Sequence, residues 1–423
     1  MKKEDSFIFA HLFVYAFLFI VFGVFLCPSL TQLKEGLIGI LSSDSSLAFD
    51  AFHFGLGPGF VNAGLCFLLV VTLLRIFDGK TAAGKHFASS FIVAGYSFYG
   101  ENILNILPMI FGVFLYSRAR KEPFGNHVVT SLFSTCMAPF VSYIFLTVQG
   151  PLFLRLLAAF ATGTLLGFLA ADILSYAFPI HKGYNLFNMG FAAGICCTLV
   201  ASVLRLFGFT YAKNTIELTG GNNLLLGTFF GLIYLSMIIE GFFLNGKSFK
   251  GLKELLHQTG QAPANFFASS SFPVTLINMG GCGLMATAYV LLVGGQINGP
   301  VISCIWTIPG FAAFGMHMLN IPWSIIGIAL GSFVFKYDLA STGILTTTLN
   351  SACMAPITGQ FGPVFGMITG LIHINVAPNI SFLHGFLCLY NNGFAAGFVA
   401  YIVLTLNTFF RALVKSKPKI TNS

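Results

Sequence analysis

Apolar residues run almost unbroken along this chain, where a water-soluble helix would interrupt them with charge every turn. Residues 7–27, 60–77, 152–177, 187–207, 224–244 and 395–410 are the clearest such stretches. At 1.5 Å per residue, runs of this kind cross a hydrocarbon layer of about 30 Å. Lipid offers no partner to an open backbone group, so the runs are predicted to be helices. The first follows Met1, Lys2 and Lys3, is longer than a signal-peptide core and precedes no small-residue cleavage site. It reads as an uncleaved first helix with a cytoplasmic N-terminus. Two shorter amphipathic segments, residues 33–41 and 252–256, both open with Leu-Lys-Glu and are expected at the membrane surface.

The pattern repeats. Asn188-Met-Gly-Phe-Ala-Ala-Gly194 returns as Asn391-Asn-Gly-Phe-Ala-Ala-Gly397, an offset of 203 residues, and at that offset Gly163, Gly167 and His181 fall on Gly366, Gly370 and His384. Upstream, Ser134 and Cys136-Met-Ala-Pro139 match Ser351 and Cys353-Met-Ala-Pro356 at 217. Gly100, Leu104, Asn105 and Gly112 match Gly315, Leu319, Asn320 and Gly327 at 215, and Asn62 and Gly64 match Asn278 and Gly280 at 216. The register shifts fall between blocks, as loop insertions make them. The chain therefore reads as residues 1–215 followed by a second copy, 216–423, the two forming one membrane domain.

Charge sets the relative orientation of the copies. Lys and Arg concentrate in cytoplasmic loops. Tracing outward from the N-terminus, the first copy touches the cytoplasm at Arg75, Lys80 and Lys85, at Arg118 to Lys121 and at Lys182, and ends outside; the second begins with a span that comes inward to Lys247, Lys250 and Lys253. On this path the tail bearing Arg411, Lys415, Lys417 and Lys419 is cytoplasmic. Of the 21 basic residues only Lys34, Arg155, Arg205, Lys213 and Lys336 lie outside or near that face. An inverted duplication is the simplest reading, giving an all-α polytopic protein of about 10–14 transmembrane or re-entrant helices. Residues 86–118 and 301–336 fit two short crossings or a re-entrant hairpin equally well.

Composition agrees: 8% of residues are charged and 56% hydrophobic, against about a quarter charged in soluble domains. The excess of 21 Lys and Arg over 13 Asp and Glu sits between spans and does not indicate nucleic acid. Most of the nine cysteines lie inside apolar runs without zinc spacing, so no metal or cofactor is expected. His-Glu-x-x-His, Gly-x-Ser-x-Gly and phosphate-loop motifs are missing, and no catalytic residue is assigned.

Candidate chemistry lies where helices break. In transporters built from inverted repeats the solute site forms near the midplane, at discontinuous helices whose free backbone groups face a cavity. Two breaks occur in both copies: Asn102, Asn105 and Pro108 with His317, Asn320 and Pro322, and the element at Ser134 and Pro139 with Ser351 and Pro356. Asn102, Asn105, Ser134, Pro139, His317, Asn320, Ser351 and Pro356 are thus the candidate solute-binding residues. Helix packing explains a single kink better, and the paired breaks equally well. Ionisable groups inside the apolar regions are costly and mark pathways. Glu101, Glu240 and Asp172, whose counterpart is Asn375, are candidates for ion or proton coupling. His181 and His384 are expected to cap the helices that Asn188 and Asn391 open.

Taken together, Gly100, Asn102, Asn105, Pro108 and the paired Cys-Met-Ala-Pro and Asn-x-Gly-Phe-Ala-Ala-Gly elements make the chain resemble, along nearly its whole length, a family of bacterial multi-pass membrane proteins of unknown function. In architecture it is similar to urea transporters, whose inverted halves carry re-entrant half-helices; no urea-site residue transfers. The resemblance implies a bacterial plasma-membrane location. The expected function is a transporter or channel for a small solute or ion, set against an intramembrane enzyme and a structural or accessory membrane protein. The bilayer and the solute are the expected partners, nucleic acid is not, and a homo-oligomer stays open.

Overall fold

The computed structural model describes residues 3–79, 81–211 and 220–416. Lys80, Lys213, Lys417 and Lys419, which enter the charge reading, lie outside the described residues. The first half runs α1 (Lys3–Phe25), α2 (Leu30–Ser42), α3 (Leu56–Phe77), α4 (Gly84–Tyr96), α5 (Ile103–Ala119), α6 (Val128–Ser134), α7 (Pro139–Thr147), α8 (Leu152–His181) and α9 (Asn188–Leu206). The second runs α10 (Asn223–Leu244), α11 (Leu252–Leu256), α12 (Phe266–Ser269), α13 (Phe272–Leu292), α14 (Gly299–Phe311), α15 (Pro322–Phe335), α16 (Thr342–Asn350), α17 (Ala355–Phe361), α18 (Pro363–Ile380) and α19 (Asn391–Ser416). Apart from the single turn α12, the halves follow the same order.

Among the described residues eight helices are long and apolar enough to cross a membrane, and α6 and α7, bent by 47° at a short break, make either a broken span or a re-entrant loop. The protein is a multi-pass helical membrane protein. Phe153, Leu206, Leu224, Leu292 and Phe333 project outward, an arrangement that lipid tolerates and water does not.

Helices that correspond by sequence pack in opposite directions. Along α1 and α10, Phe22 stacks on Phe229 with centroids 3.9 Å apart, Phe19 meets Phe230, and His11 reaches Glu240 at 2.9 Å, so rising numbers on one helix meet falling numbers on the other. Helices α4 and α14 do the same. Gly84 lies against the Ala313 carbonyl, Phe91 stacks on Trp306 at 4.3 Å, Gly95 lies against the Ser303 carbonyl, and Gly299 lies against that of Phe98. Both helices have 13 residues, about 20 Å at 1.5 Å per residue and too short to span. They lie side by side in the centre, every residue of each buried except Lys85 at the head of α4, which is partly exposed.

These half-length helices belong to hairpins. The first turn of α4 is tied to the end of α3, where Lys85 and His86 bond the Asp78 carboxylate. After α5 the chain returns to that place, with Phe124 against Phe77 at 5.0 Å. The pair α4–α5 thus enters and leaves at one end of the molecule, called the near end. The pair α14–α15 enters and leaves at the far end, where Asn298 Nδ2 donates to Thr342 Oγ1 at 2.8 Å. Each pair returns to the end it starts from, as both alternatives left open by the sequence require. Behind each hairpin, glycines let backbones touch: Gly112 of α5 lies against the Thr164 carbonyl of α8 and Gly167 of α8 against the Met109 carbonyl of α5, and Gly327 and Gly370 meet the Met367 and Ser324 carbonyls in the same way between α15 and α18.

Burial disfavours ionisation of Asp78, but the hydrogen bonds and charge of His86 and Lys85 outweigh it and lower its pKa below 3.8. A depressed carboxylate stabilises the fold above its unfolded pKa and loses that contribution as pH falls through the folded value. The melting temperature of the wild-type protein is therefore expected to fall more steeply below about pH 4 than that of Asp78→Asn, in detergent melting curves taken across that range.

Candidate functional site

The turn joining α4 to α5 is built by two asparagines. Gly100 takes φ +119°, which glycine adopts without a Cβ penalty. At the head of α5, Asn102 Oδ1 accepts from the Leu104 and Asn105 amides at 3.0 and 3.1 Å, while Asn105 Oδ1 accepts from the Asn102 amide at 2.8 Å. This reciprocal cap satisfies helix donors that would otherwise be buried unpaired. Asn105 Nδ2 donates back to the Gly100 carbonyl. From α3, Asn62 Nδ2 donates to the carbonyls of Ser97 and Glu101, each at 2.9 Å.

The α14–α15 turn reproduces this network. Gly315 has φ +144°, Asn320 Oδ1 accepts from the His317 amide at 2.7 Å, and Asn320 Nδ2 donates to the Gly315 carbonyl. Asn278 Nδ2 donates to Ala312 and Met316 carbonyls, each at 2.9 Å. His317 replaces Asn102: its Nδ1 accepts from the Leu319 and Asn320 amides, so its Nε2 carries the hydrogen and donates to the Gln258 carbonyl at 2.9 Å. The side-chain nitrogen of Asn102 has no corresponding partner and is buried.

Two connecting segments close opposite ends of the α4–α14 pair. Strap 1, residues 43–50, covers the far end; strap 2, residues 257–265, covers the near end. Asp50 Oδ1 accepts from the Gly299 amide at the head of α14, and Asn265 Oδ1 accepts from the Gly84 amide at the head of α4, both at 3.1 Å. The Leu47 amide donates to the Phe386 carbonyl and the Ala262 amide to that of Gly183, both at 3.0 Å. Just beyond each strap, the Ala51 amide donates to the Phe98 carbonyl and the Phe266 amide to that of Ala313. Each strap therefore anchors to the central helix of the other half and to the segment leading into α19 or α9.

Those segments dip into the interior. The Leu389 amide donates to the Cys136 carbonyl, and the Leu186 amide to that of Cys353, at 2.9 and 2.8 Å. These carbonyls lie at the two Cys-Met-Ala-Pro breaks, where short 3-10 turns interrupt the helices. His181 Nε2 meets Asn188 Oδ1 at 2.7 Å and His384 Nε2 meets Asn391 Oδ1 at 3.0 Å, holding the heads of α9 and α19. Gly190 and Gly393 let those two helices cross backbone to backbone at their first turns.

A cavity of about 190 Å³ opens beside the first turn, lined by Asn102, Asn105, Pro108 and Ser142 and otherwise by apolar side chains. A wider one of about 480 Å³ lies at the far end beside strap 1, where Tyr99, Thr346, Thr347, Asn379, Asn391 and Asn392 supply polar groups and no lining side chain is charged.

Asn102 and Asn105 thus come together at one turn, and His317 and Asn320 at the other. Pro139 and Pro356 sit in the first turns of α7 and α17. Ser134 and Ser351 are buried, each bonded to a carbonyl of its own helix, and Ser351 also to Ser324. The acidic candidates are scattered. Asp172 is exposed on α8, accepting from Tyr116, and Asn375 is half-buried on α18, donating to the Leu371 carbonyl. Glu240 is half-buried with His11. Glu101 is fully buried, and its Oε1 accepts from Thr135 Oγ1 at 3.0 Å. The sequence reading overlooked Ser142, which accepts from Asn105, and the strap anchors Asp50 and Asn265. The offset of 215 that pairs Gly100 with Gly315 also pairs these two, so the signal was present.

Helices of this length, half-length hairpins and broken spans define a polytopic membrane protein with a polar interior. The chain belongs to the family described as protein of unknown function (DUF1576), whose model matches residues 15–206 and 244–408. No curated protein and no solved structure matches it.

Proposed function

We propose that the chain is an inverted duplication, residues 1–215 and 216–423, acting as a permease for a small neutral or weakly polar solute, with both termini in the cytoplasm. On this reading the near end is cytoplasmic and the far end external. The observation that carries it is the pair of straps: corresponding segments seal opposite ends of the same central helix pair through corresponding hydrogen bonds. A carrier needs such a device at each face, with one closed while the other is open. The solute site lies beneath the straps at the two capped turns. Asn102 offers it an uncommitted amide donor, and the uncharged far-end cavity favours solutes without net charge.

The straps compete in this mechanism, which makes the reading testable before the solute is known. In nanodiscs, with Cys27→Ser as background, Leu47→Cys reports on strap 1 and Ala262→Cys on strap 2 through labelling by a membrane-impermeant maleimide. Removing a helix cap costs about 1 kcal/mol, roughly a fivefold shift in an equilibrium. Asp50→Ala is expected to raise labelling at 47 by about that factor and lower it at 262, and Asn265→Ala to do the reverse. Either variant raising both would overturn the mechanism. A proteoliposome flux screen over small neutral and anionic solutes, with and without proton or sodium gradients, then identifies the cargo. If nothing moves and Asn102→Ala has no cellular effect, transport is the wrong reading.

A further inference from the structure

The interior network is nearly symmetric, and its largest departure from symmetry is chemical. Where the first half has Glu101 and Thr135, the second has Met316 and Ala352 at the same offsets of 215 and 217. Glu101 is completely buried in the turn between α4 and α5, and its Oε2 has no hydrogen-bond partner. The groups that face it are Thr135 and Cys136 at the α6–α7 break, Cys66 on α3 and Tyr390 ahead of α19. None of them is a base or a cation. Taking an unpaired carboxylate out of water costs more than one hydroxyl donor returns, and a carboxyl so placed takes up a proton instead.

The location of Glu101 shows which face can reach it. Its turn lies directly under strap 1: Gly100 packs on Ser45, the Tyr99 hydroxyl donates to the Leu47 carbonyl at 2.6 Å, and the Ala51 amide holds the Phe98 carbonyl. We propose that Glu101 is a proton-binding site gated by strap 1, neutral while the strap is seated and releasing its proton to far-end water when the strap lifts. The step is an acid dissociation: the O–H bond of the carboxyl breaks, water accepts the proton, and the same bond reforms as the strap closes. A permease carrying this group exchanges one proton with far-end water at each opening and closing of strap 1, so the inference deepens the carrier reading and rests on it.

Linkage fixes the sign. If the closed state holds the neutral acid and the open state the carboxylate, raising pH favours opening, by up to tenfold per pH unit above the ordinary glutamate pKa of about 4.3. Strap 1 itself carries Asp44 and Asp50, whose protonation at low pH acts on the anchor directly, so the test needs Glu101 isolated from them. Maleimide labelling of Leu47→Cys and Ala262→Cys is measured between about pH 6 and 8, in otherwise parental, Glu101→Gln and Glu101→Asp proteins in nanodiscs. The ratio of parental to Glu101→Gln rates cancels the thiol's own titration. At position 47 that ratio is expected to climb with pH while the ratio at 262 falls; Glu101→Asp keeps the slope. A flat ratio overturns the proposal, as does a slope at both positions with the same sign, or a slope lost equally in Glu101→Asp. Should Glu101→Gln fail to fold, the parental rates divided by those of an exposed reference thiol carry the same slope. The competition between Asp50→Ala and Asn265→Ala is read at fixed pH, so loss of the proton site leaves the carrier mechanism standing, and the converse failure is recognised separately.

Discussion

Alanine at Gly315 is expected to cost roughly 3 kcal/mol or more and to remove most folded protein from membranes. Its φ of +144° lies where side chains are strained, and a Cβ there would meet the backbone carbonyl of Gly260 in strap 2. Gly260 stands against the Gly315 carbonyl in return, so neither chain can yield alone. Gly246→Ala is the control: its φ of +69° is also left-handed, yet nothing lies within 4 Å of the new methyl. It should cost only about 1–2 kcal/mol. Fluorescence-detected gel filtration after graded heating separates the two cases, and equal melting temperatures would show that the Gly260–Gly315 contact does not hold strap 2 in place.

The second large effect falls on Asn62 and Asn278. Each amide nitrogen bridges two carbonyls that the end of a half-length helix leaves free inside the molecule. Removing the donor strands both, at about 1–3 kcal/mol per buried group, so Asn62→Ala and Asn278→Ala should each lose roughly 2–5 kcal/mol. Aspartate should be no better than alanine, because a carboxylate presents acceptors to acceptors. The two costs are expected to agree within about 1 kcal/mol, as matching geometry in the two halves requires. A neutral Asn278→Ala beside a crippling Asn62→Ala would break the equivalence of the turns.

Much of the architecture was legible before any coordinates. Apolar runs became helices because lipid permits little else. The break at Gly100 and Asn102 was visible because glycine and asparagine with a proline soon after do not continue a helix quietly, and its recurrence at Gly315 and His317 doubled the signal. That Asn102 and Asn105 cap α5 reciprocally became visible only in the fold. Asp172 shows the limit of such reading. Its sequence position in an apolar run is the same whether it faces lipid, solvent or the interior, and rotation about α8 placed it outward beside Tyr116. Glu240 likewise found His11, a partner 229 positions away.

The sequence by itself determined that this is a membrane protein and where most of its helices run and break, and it carries a recurring pattern of motifs, because hydrophobic length, breaker residues and motif spacing are read along the chain. That α4 and α14 lie side by side in the centre, which acids are buried, and how the straps fasten were decided by tertiary structure alone. Those outcomes depend on bonds such as Asp50 to Gly299 and Asn265 to Gly84, each joining residues some 180 to 250 positions apart. No local pattern encodes such a bond, since its donor is a glycine amide and its acceptor sits in a loop without periodicity. Packing the two central helices side by side brings the partners within reach.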